Sequence, residues 1–156
     1  MSINRPADLH AMLDHAITLF DREKSGAAAS VTVFKNYSPD IPPVRIEGEL
    51  MEHVVTNLLS NAAQASPPGA VVTIKTRLAE TPEGLKAEIA VIDRGSGIDV
   101  KHLENIFNPF FTTKAEGVGL GLAVVSKIVD EHGGQIMVES TLGEGSVFRV
   151  YLPVAE

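Results

Sequence analysis

Residues 57–65 of the chain read NLLSNAAQA, and residues 93–98 read DRGSGI. Further along, residues 108–114 read NPFFTTK and residues 117–122 read GVGLGL. None of these four segments is specific alone. Their order, however, supplies a polar helix face, a glycine turn after a strand, a loop, and a glycine-rich helix start. Together they predict a nucleotide-binding site.

The apolar periodicity around these segments is that of helices and strands in a single domain. It predicts helices over about residues 7–23, 48–65 and 119–132. It predicts strands over about residues 31–34, 71–78, 87–92, 135–140 and 146–152, and a short helix near 100–106 within an otherwise irregular stretch. We therefore expect an α/β two-layer sandwich, in which helices cover one face of a mixed, mostly antiparallel sheet.

The composition is that of an ordinary globular domain, and it argues against several classes of binding partner. The 156 residues fit one domain, and the absence of cysteine excludes disulfides and thiolate metal sites. A net charge of −7 argues against nucleic acid, which needs a basic surface. No apolar run approaches the roughly 18 residues of a membrane span, and no signal peptide is evident. We expect a cytoplasmic domain that does not itself insert into a membrane.

Asn57 and Asn61 stand four residues apart in the second predicted helix, so both side chains project from the same face. Amide oxygens are hard ligands that suit Mg²⁺, which needs only one or two protein ligands when phosphates supply others. Two solvent-facing polar positions would give the same pattern. Asn is a poor helix former, however, so two of them within an apolar helix favour a functional role.

Asp93 ends an apolar strand and opens a turn that contains Gly95 and Gly97. A carboxylate there can accept a hydrogen bond from the exocyclic amino group of adenine, and it would repel the carbonyl oxygen that guanine has in that place. Glycine permits the close approach of backbone and ligand that such a turn needs. A plain strand-to-turn Asp is the alternative interpretation of this motif.

The segment at 117–122 precedes a helix, where exposed backbone N–H groups and the helix dipole favour phosphate binding. It does not follow a strand, as the dinucleotide fingerprint requires, and the chain has no P-loop sequence. In the irregular stretch before it, Lys114 can offer a cation to a phosphate, and Phe110 and Phe111 can anchor a closing loop. A hydrophobic loop plug with a solvated Lys is the alternative.

With GEGS at residues 143–146 these segments resemble, in order and spacing, the N, G1, F, G2 and last glycine boxes of sensor histidine kinases. The resemblance is to the catalytic and ATP-binding domain of those kinases and extends over nearly all of residues 1–156. It implies the Bergerat ATP-binding fold, which gyrase, MutL-type repair proteins and heat-shock chaperone ATPases share. The FFTTK sequence is similar to that of nitrogen- and dicarboxylate-type sensor kinases.

This resemblance implies that the cofactors are ATP and Mg²⁺. Asn61 would bind Mg²⁺ with Asn57 beside the phosphates, and Asp93 would bind the adenine amino group, helped by a water that Ser146 holds. Residues from about 105 to 118 would form a lid over ATP and bring Lys114 to the phosphates. The other implied nucleotide contacts are Ala65, Gly95, Gly97, Ile98, Phe110, Thr113, Gly117, Gly119, Leu120, Gly121 and Leu122.

The identity of residue 57 favours a kinase over an ATPase. The hydrolysing members of the superfamily carry a Glu in this place, which activates water as a general base, whereas Asn cannot take up a proton. The implied acceptor is a His on a separate dimerisation domain, from which a response regulator receives the phosphoryl group. That His is normally followed by an acidic residue and shortly by Pro, a context that none of the five His residues has: His10, His15, His53, His102 and His132.

We therefore expect a domain of a longer kinase, whose sensor and dimerisation parts lie elsewhere and whose parent protein is either soluble or membrane-anchored. The isolated domain would be monomeric and would not phosphorylate itself. Two alternatives share the motifs. One is a stand-alone Ser/Thr protein kinase of the anti-sigma-factor type, and the other is a regulatory module that binds nucleotide or a partner without catalysis.

Overall fold

The computed structural model describes residues 6–103, 105–107 and 121–155. Three α-helices and seven β-strands form within these ranges. The helices are α1 (Leu9–Glu23), α2 (Gly48–Ala65) and α3 (Gly121–Glu131). The strands are β1 (Pro6–Ala7), β2 (Thr32–Asn36), β3 (Val44–Arg45), β4 (Val71–Thr81), β5 (Gly84–Asp93), β6 (Gln135–Thr141) and β7 (Gly145–Pro153), with short 3₁₀ turns at Gly26–Ser30 and Val100–His102.

Local capping explains where the first two helices begin. The Asp8 carboxylate accepts hydrogen bonds from the N–H groups of His10 and Ala11 at the start of α1. The Glu47 carboxylate does the same for the N–H of Leu50 at the start of α2. Each cap satisfies backbone donors that have no partner within the helix. The Pro67–Pro68 pair that follows the end of α2 cannot continue a helix.

The main sheet has five strands in the order β2-β4-β5-β7-β6. Strand β2 runs parallel to β4, whereas every other neighbouring pair is antiparallel. The register of β5 and β7 places Asp93 opposite Ser146, and the register of β6 and β7 places Ser140 opposite the same Ser146. Three polar residues from three parts of the sequence therefore meet at one end of the sheet.

One face of the sheet packs against the three helices, and the apolar core lies between the two layers. Alternate residues of β4 and β5 point into this core, as a half-covered sheet requires. The buried positions of α1 and α2 recur at helical spacing along the inner faces of these helices. The largest fully buried side chains include Leu9, Leu13, Met51, Leu58, Leu59, Ile74, Ile89 and Leu152.

The predicted fold class is confirmed, and the differences lie in the lengths of elements. Helix α2 has the predicted bounds, but β4 and β5 extend further and meet in a hairpin whose register pairs Thr81 with Gly84. The short helix expected near 100–106 is a single 3₁₀ turn at Val100–His102. The small ribbon of β1 and β3 was not predicted, because a two-residue strand carries no periodic signal.

Candidate functional site

The carboxyl end of β5 meets the carboxyl end of α2 in a contact that leaves no room for a side chain. A Cβ atom at Gly95 would lie 2.1 Å from the carbonyl oxygen of Ala65. The N–H of Ser96 donates a hydrogen bond of 2.9 Å to the same oxygen. Glycine is therefore required at position 95 by packing against α2. The turn after Asp93 is held against the helix that carries Asn57 and Asn61.

The other side of this turn packs against the β6–β7 hairpin. Gly97 has a φ of +72°, and a Cβ atom there would lie 2.2 Å from the carbonyl oxygen of Thr141. The N–H of Gly143, in the hairpin turn, donates to the carbonyl oxygen of Ser96 at 2.7 Å. Positive φ and close backbone approach both demand glycine at position 97. The 93–98 turn is thus clamped between a helix and a hairpin.

Asp93 lies at the centre of this corner and is only 5% exposed. One carboxylate oxygen, Oδ1, accepts a hydrogen bond of 2.8 Å from the N–H of Gly95. In the described part of the chain no Lys, Arg or His forms an ion pair with Asp93. Burial raises the pKa of Asp93, and hydrogen bonds from the backbone of Gly95 and Ser146 oppose that rise only in part.

A hydroxyl network joins this corner to the hairpin. The N–H of Ile98 donates to Ser140 Oγ at 2.7 Å. Ser140 Oγ donates to the carbonyl oxygen of Gly145 at 3.0 Å and lies 2.7 Å from Ser146 Oγ. Ile98 and Ser146 were predicted from the sequence as site residues, whereas Ser140 was not. The inward-facing alternation of β6, which places Ser140 with Ile136 and Val138, is the signal that identifies it.

Asn57 and Asn61 lie one turn apart on α2, and both are half-buried. The amide nitrogen of Asn57 donates to the carbonyl oxygen of His53 at 3.0 Å. This contact leaves Oδ1 of Asn57 facing the start of α3, where a Cβ atom at Gly121 would lie 3.0 Å from it. The structure therefore brings Asn57 to the first described residue of the glycine-rich helix start.

The beginning of the stretch predicted to form the lid, at residues 105–107, is anchored in the core. Ile106 is buried, and the ring of Phe107 packs edge-on against Phe148 of β7, with 6.4 Å between centroids. At the other end of the stretch, Leu122 packs against the core from α3. The other predicted contacts of the lid and of the phosphate loop lie outside the described residues: Phe110, Thr113, Lys114, Gly117, Gly119 and Leu120.

His132, at the end of α3, uses both of its ring nitrogens. Its Nδ1 lies 2.8 Å from the carbonyl oxygen of Ile128, and its Nε2 accepts a hydrogen bond of 3.0 Å from the N–H of Glu47. Each ring nitrogen thus contacts the backbone of a different helix or its cap. The buried ring therefore links the end of α3 to the beginning of α2.

Two features are absent from the described residues. None of the described helices combines the length and the apolar character that a membrane crossing requires. Within the same ranges, no group of three or more His, Cys, Asp or Glu residues is arranged to hold a metal ion.

The helix, glycine turn and hairpin of this corner lie in a part of the chain that matches a known family. Residues 46–156 match the family described as histidine kinase-, DNA gyrase B- and HSP90-like ATPase, and the chain belongs to this family. Its relatives are named sensor histidine kinases, which confirms the family predicted from the sequence motifs.

Two relatives illustrate the likeness. The sensor histidine kinase ZraS of Klebsiella oxytoca is 37% identical over 147 residues, which cover 94% of this chain and 31% of the relative. The sensory histidine kinase/phosphatase NtrB of Rhodobacter capsulatus is 36% identical over 163 residues, which cover 97% of this chain and 44% of the relative. The chain thus spans between about a third and a half of the length of these relatives.

A solved structure shows the same fold over the whole length of the chain. The mycobacterial sensor histidine kinase MprB superposes with a TM-score of 0.81 at 27% identity, covering 96% of this chain and 97% of the matched one. The family and this structural neighbour identify the chain as a histidine-kinase type ATPase domain.

Proposed function

We propose that this domain binds Mg·ATP at the corner formed by α2, the 93–98 turn and the start of α3. In the parent protein it then donates the γ-phosphoryl group to a His on a separate dimerisation domain, from which a response regulator takes it. Within residues 1–156, the segment from about 105 to 118 forms the lid over the nucleotide.

The observation that carries this proposal is the environment of Asp93. Its carboxylate is buried, has no cationic partner among the described residues, and is hydrogen-bonded there by the backbone of Gly95 and Ser146. A buried carboxylate of this kind is costly unless a donor reaches it. The amino group of adenine is such a donor, and Gly95 and Gly97 allow the turn that follows Asp93 to pack against α2 and the β6–β7 hairpin.

Asn61 is the proposed Mg²⁺ ligand, and Asn57 lies beside the phosphates. Bound Mg²⁺ would neutralise charge on the phosphate oxygens during transfer. The backbone N–H groups at the start of α3 favour negative charge, and we assign the phosphates to them and to Lys114. In this proposal Asn57, Asn61 and Lys114 act by positioning and charge neutralisation.

Asn57 also bears on what happens to the γ-phosphate. Its side chain is an amide whose nitrogen already donates to His53, so it has no basic group with which to activate water. The phosphoryl group is then retained until a nucleophile arrives. This supports transfer to a partner rather than hydrolysis, in agreement with the sensor kinases that the chain is similar to.

Two assays test the proposal in sequence. Calorimetric titration with ATP, ADP and GTP, each with and without Mg²⁺, should show adenine nucleotides bound in preference to GTP and ATP bound more tightly with Mg²⁺. Incubation with Mg·ATP and an isolated helical domain that bears the acceptor His should then give a phosphoprotein that is acid-labile and base-stable. An acid-stable product would indicate a hydroxyl acceptor instead, and absence of nucleotide binding would leave only a regulatory role.

A further inference from the structure

Ser140 lies at the end of β6, where its hydroxyl contacts three groups of the proposed adenine corner. It accepts from the N–H of Ile98, donates to the carbonyl oxygen of Gly145, and lies 2.7 Å from Ser146 Oγ. Ser140 is half-buried, and Ser146 is 6% exposed. These contacts hold together the 93–98 turn, the β6–β7 hairpin and the residue directly opposite Asp93.

The direction of each hydrogen bond in this network follows from the single proton that each serine hydroxyl carries. A hydroxyl has one proton and two acceptor lone pairs. The Gly145 carbonyl can only accept, so the Ser140 proton is directed to it. The N–H of Ile98 takes one lone pair of Ser140, and the proton of Ser146 takes the other. With its proton committed, Ser146 can act toward the interior of the corner only as an acceptor.

On the basis of the adenine-binding function proposed above, we infer that Ser140 is a positioning residue for the base subsite. It commits the Ser146 proton, so a water between Ser146 and the base must donate one proton to Ser146. The remaining proton of that water points at the base. Position 1 of adenine is a hydrogen-bond acceptor and receives this proton, whereas hypoxanthine and guanine carry an N–H there.

Ser140 therefore contributes to base selectivity without touching the nucleotide. Asp93 accepts a hydrogen bond from the exocyclic amino group. Ser140 and Ser146 together determine whether the water at the neighbouring ring position donates or accepts a hydrogen bond. Removal of the Ser140 hydroxyl frees the Ser146 proton, so the water can turn and accept from an N–H. Such a change lowers the preference for adenine even when the fold is intact.

The test is a calorimetric comparison of ADP and IDP binding by the wild-type domain and by Ser140→Ala, Ser146→Ala and the double variant. We expect Ser140→Ala to weaken ADP binding by about three- to tenfold, which is the range for one hydrogen bond. We expect IDP binding to change much less. The double variant should bind ADP no more than about twofold more weakly than the weaker single variant, because the two hydroxyls act as one unit.

Controls separate positioning from a structural role. Ser140→Thr retains the hydroxyl and should restore most of the ADP affinity, while Ser126→Ala, on α3 and away from the corner, should match the wild type. If Ser140→Ala does not fold, Ser140→Cys keeps the size with a much weaker donor and should give the same pattern. Unchanged ADP affinity, an equal loss for ADP and IDP, or multiplicative effects in the double variant would overturn the role of Ser140. Absence of ADP binding by the wild type would overturn the adenine site itself.

Discussion

Strand β5 carries two buried carboxylates whose pKa values are shifted in opposite directions. Glu88, in the middle of the strand, is 3% exposed and Asp93, at its carboxyl end, is 5% exposed. They are five positions apart along the strand, so their side chains point to opposite faces of the sheet. Burial raises the pKa of Glu88, but hydrogen bonds from Arg77 and Tyr151 outweigh this and leave the pKa lowered. The pKa of Asp93 is raised, since its burial is opposed only by backbone N–H groups.

The partners explain the contrast. Arg77 makes two hydrogen bonds to Glu88, of 2.7 and 3.0 Å, and Nε of Arg149 lies 4.0 Å away. Such a fork satisfies both carboxylate oxygens and needs no ligand. Among the described residues, the Asp93 carboxylate has only the N–H of Gly95 and the backbone of Ser146 as partners. Burial of a charge therefore does not by itself distinguish the two residues. The difference is that the described residues supply a counter-charge to Glu88 and none to Asp93, which is why we propose a ligand-binding role for Asp93 alone.

The largest expected effect is on nucleotide affinity. Asp93→Ala should weaken ATP binding by roughly ten- to a hundredfold, because it removes one charge-assisted hydrogen bond to the base. Glu88→Gln is the matched control, since it neutralises a carboxylate of similar burial on the same strand, and it should bind ATP as the wild type does. Calorimetry on the three proteins measures both. Equal losses in the two variants would remove the distinction between the carboxylates.

The next largest effect is on the stability of the nucleotide-free domain. Here substitution of Glu88 should be the more damaging of the two. Glu88→Gln should lower the free energy of unfolding by about 1–3 kcal/mol, because it weakens charge-assisted bonds at a buried site. Asp93→Asn should leave the stability of the nucleotide-free domain unchanged or raise it, since it removes a buried charge and keeps an oxygen for the N–H of Gly95. Urea unfolding without nucleotide measures both. A marked loss of stability in Asp93→Asn would show that its carboxylate is a structural group.

The smallest effect is the pH dependence of these two differences. A lowered pKa means that Glu88 contributes stability above its unfolded value of about 4.5, and that this is lost as the pH falls through the folded value. For Asp93 the raised pKa means a penalty that grows as the pH rises from about 3.8 through the folded value. As the solution is acidified, the free energy of unfolding of the wild type should therefore rise relative to that of Asp93→Asn. Relative to that of Glu88→Gln, it should fall.

Unfolding curves from pH 3 to pH 7 check these signs, with each variant compared with the wild type at the same pH. A constant difference between the wild type and Asp93→Asn over this range would mean that the carboxylate has the same pKa in the folded and unfolded chains.

Most of the fold could be predicted from the sequence because it depends on long periodic segments. Helix α2 carries its own start and stop signals, in Glu47 and the Pro67–Pro68 pair, and its bounds were predicted correctly. The lengths of β4 and β5 were underestimated, because Lys86 and Thr81 look like turn residues until the partner strand is known. The parallel pairing of β2 with β4 is a long-range contact that no local pattern contains.

The candidate site was predictable to the extent that its chemistry lies in short motifs. Asp93, Gly95 and Gly97 are adjacent in sequence, so a turn with a carboxylate was apparent from the sequence alone. The physical need for both glycines was not, since it comes from Ala65 and Thr141, which only folding brings close. Ser140 was missed for the same reason, because its role depends on Ile98 and Ser146 across two strands.

In the part of the chain that the structure describes, Asp93 has no ion-pair partner, and we propose that the adenine amino group of ATP supplies a further donor to its carboxylate. Thermal unfolding of the wild type, Asp93→Asn and Glu88→Gln, each with and without saturating Mg·ATP, tests this directly, because a ligand that binds only the folded state raises the midpoint. For Asp93→Asn we expect an unfolding midpoint without nucleotide that is unchanged or raised relative to the wild type, and little further rise when Mg·ATP is added. For Glu88→Gln we expect a midpoint without nucleotide that is lowered, and the same Mg·ATP-induced rise as in the wild type. A full ATP-induced rise in Asp93→Asn would contradict the proposal.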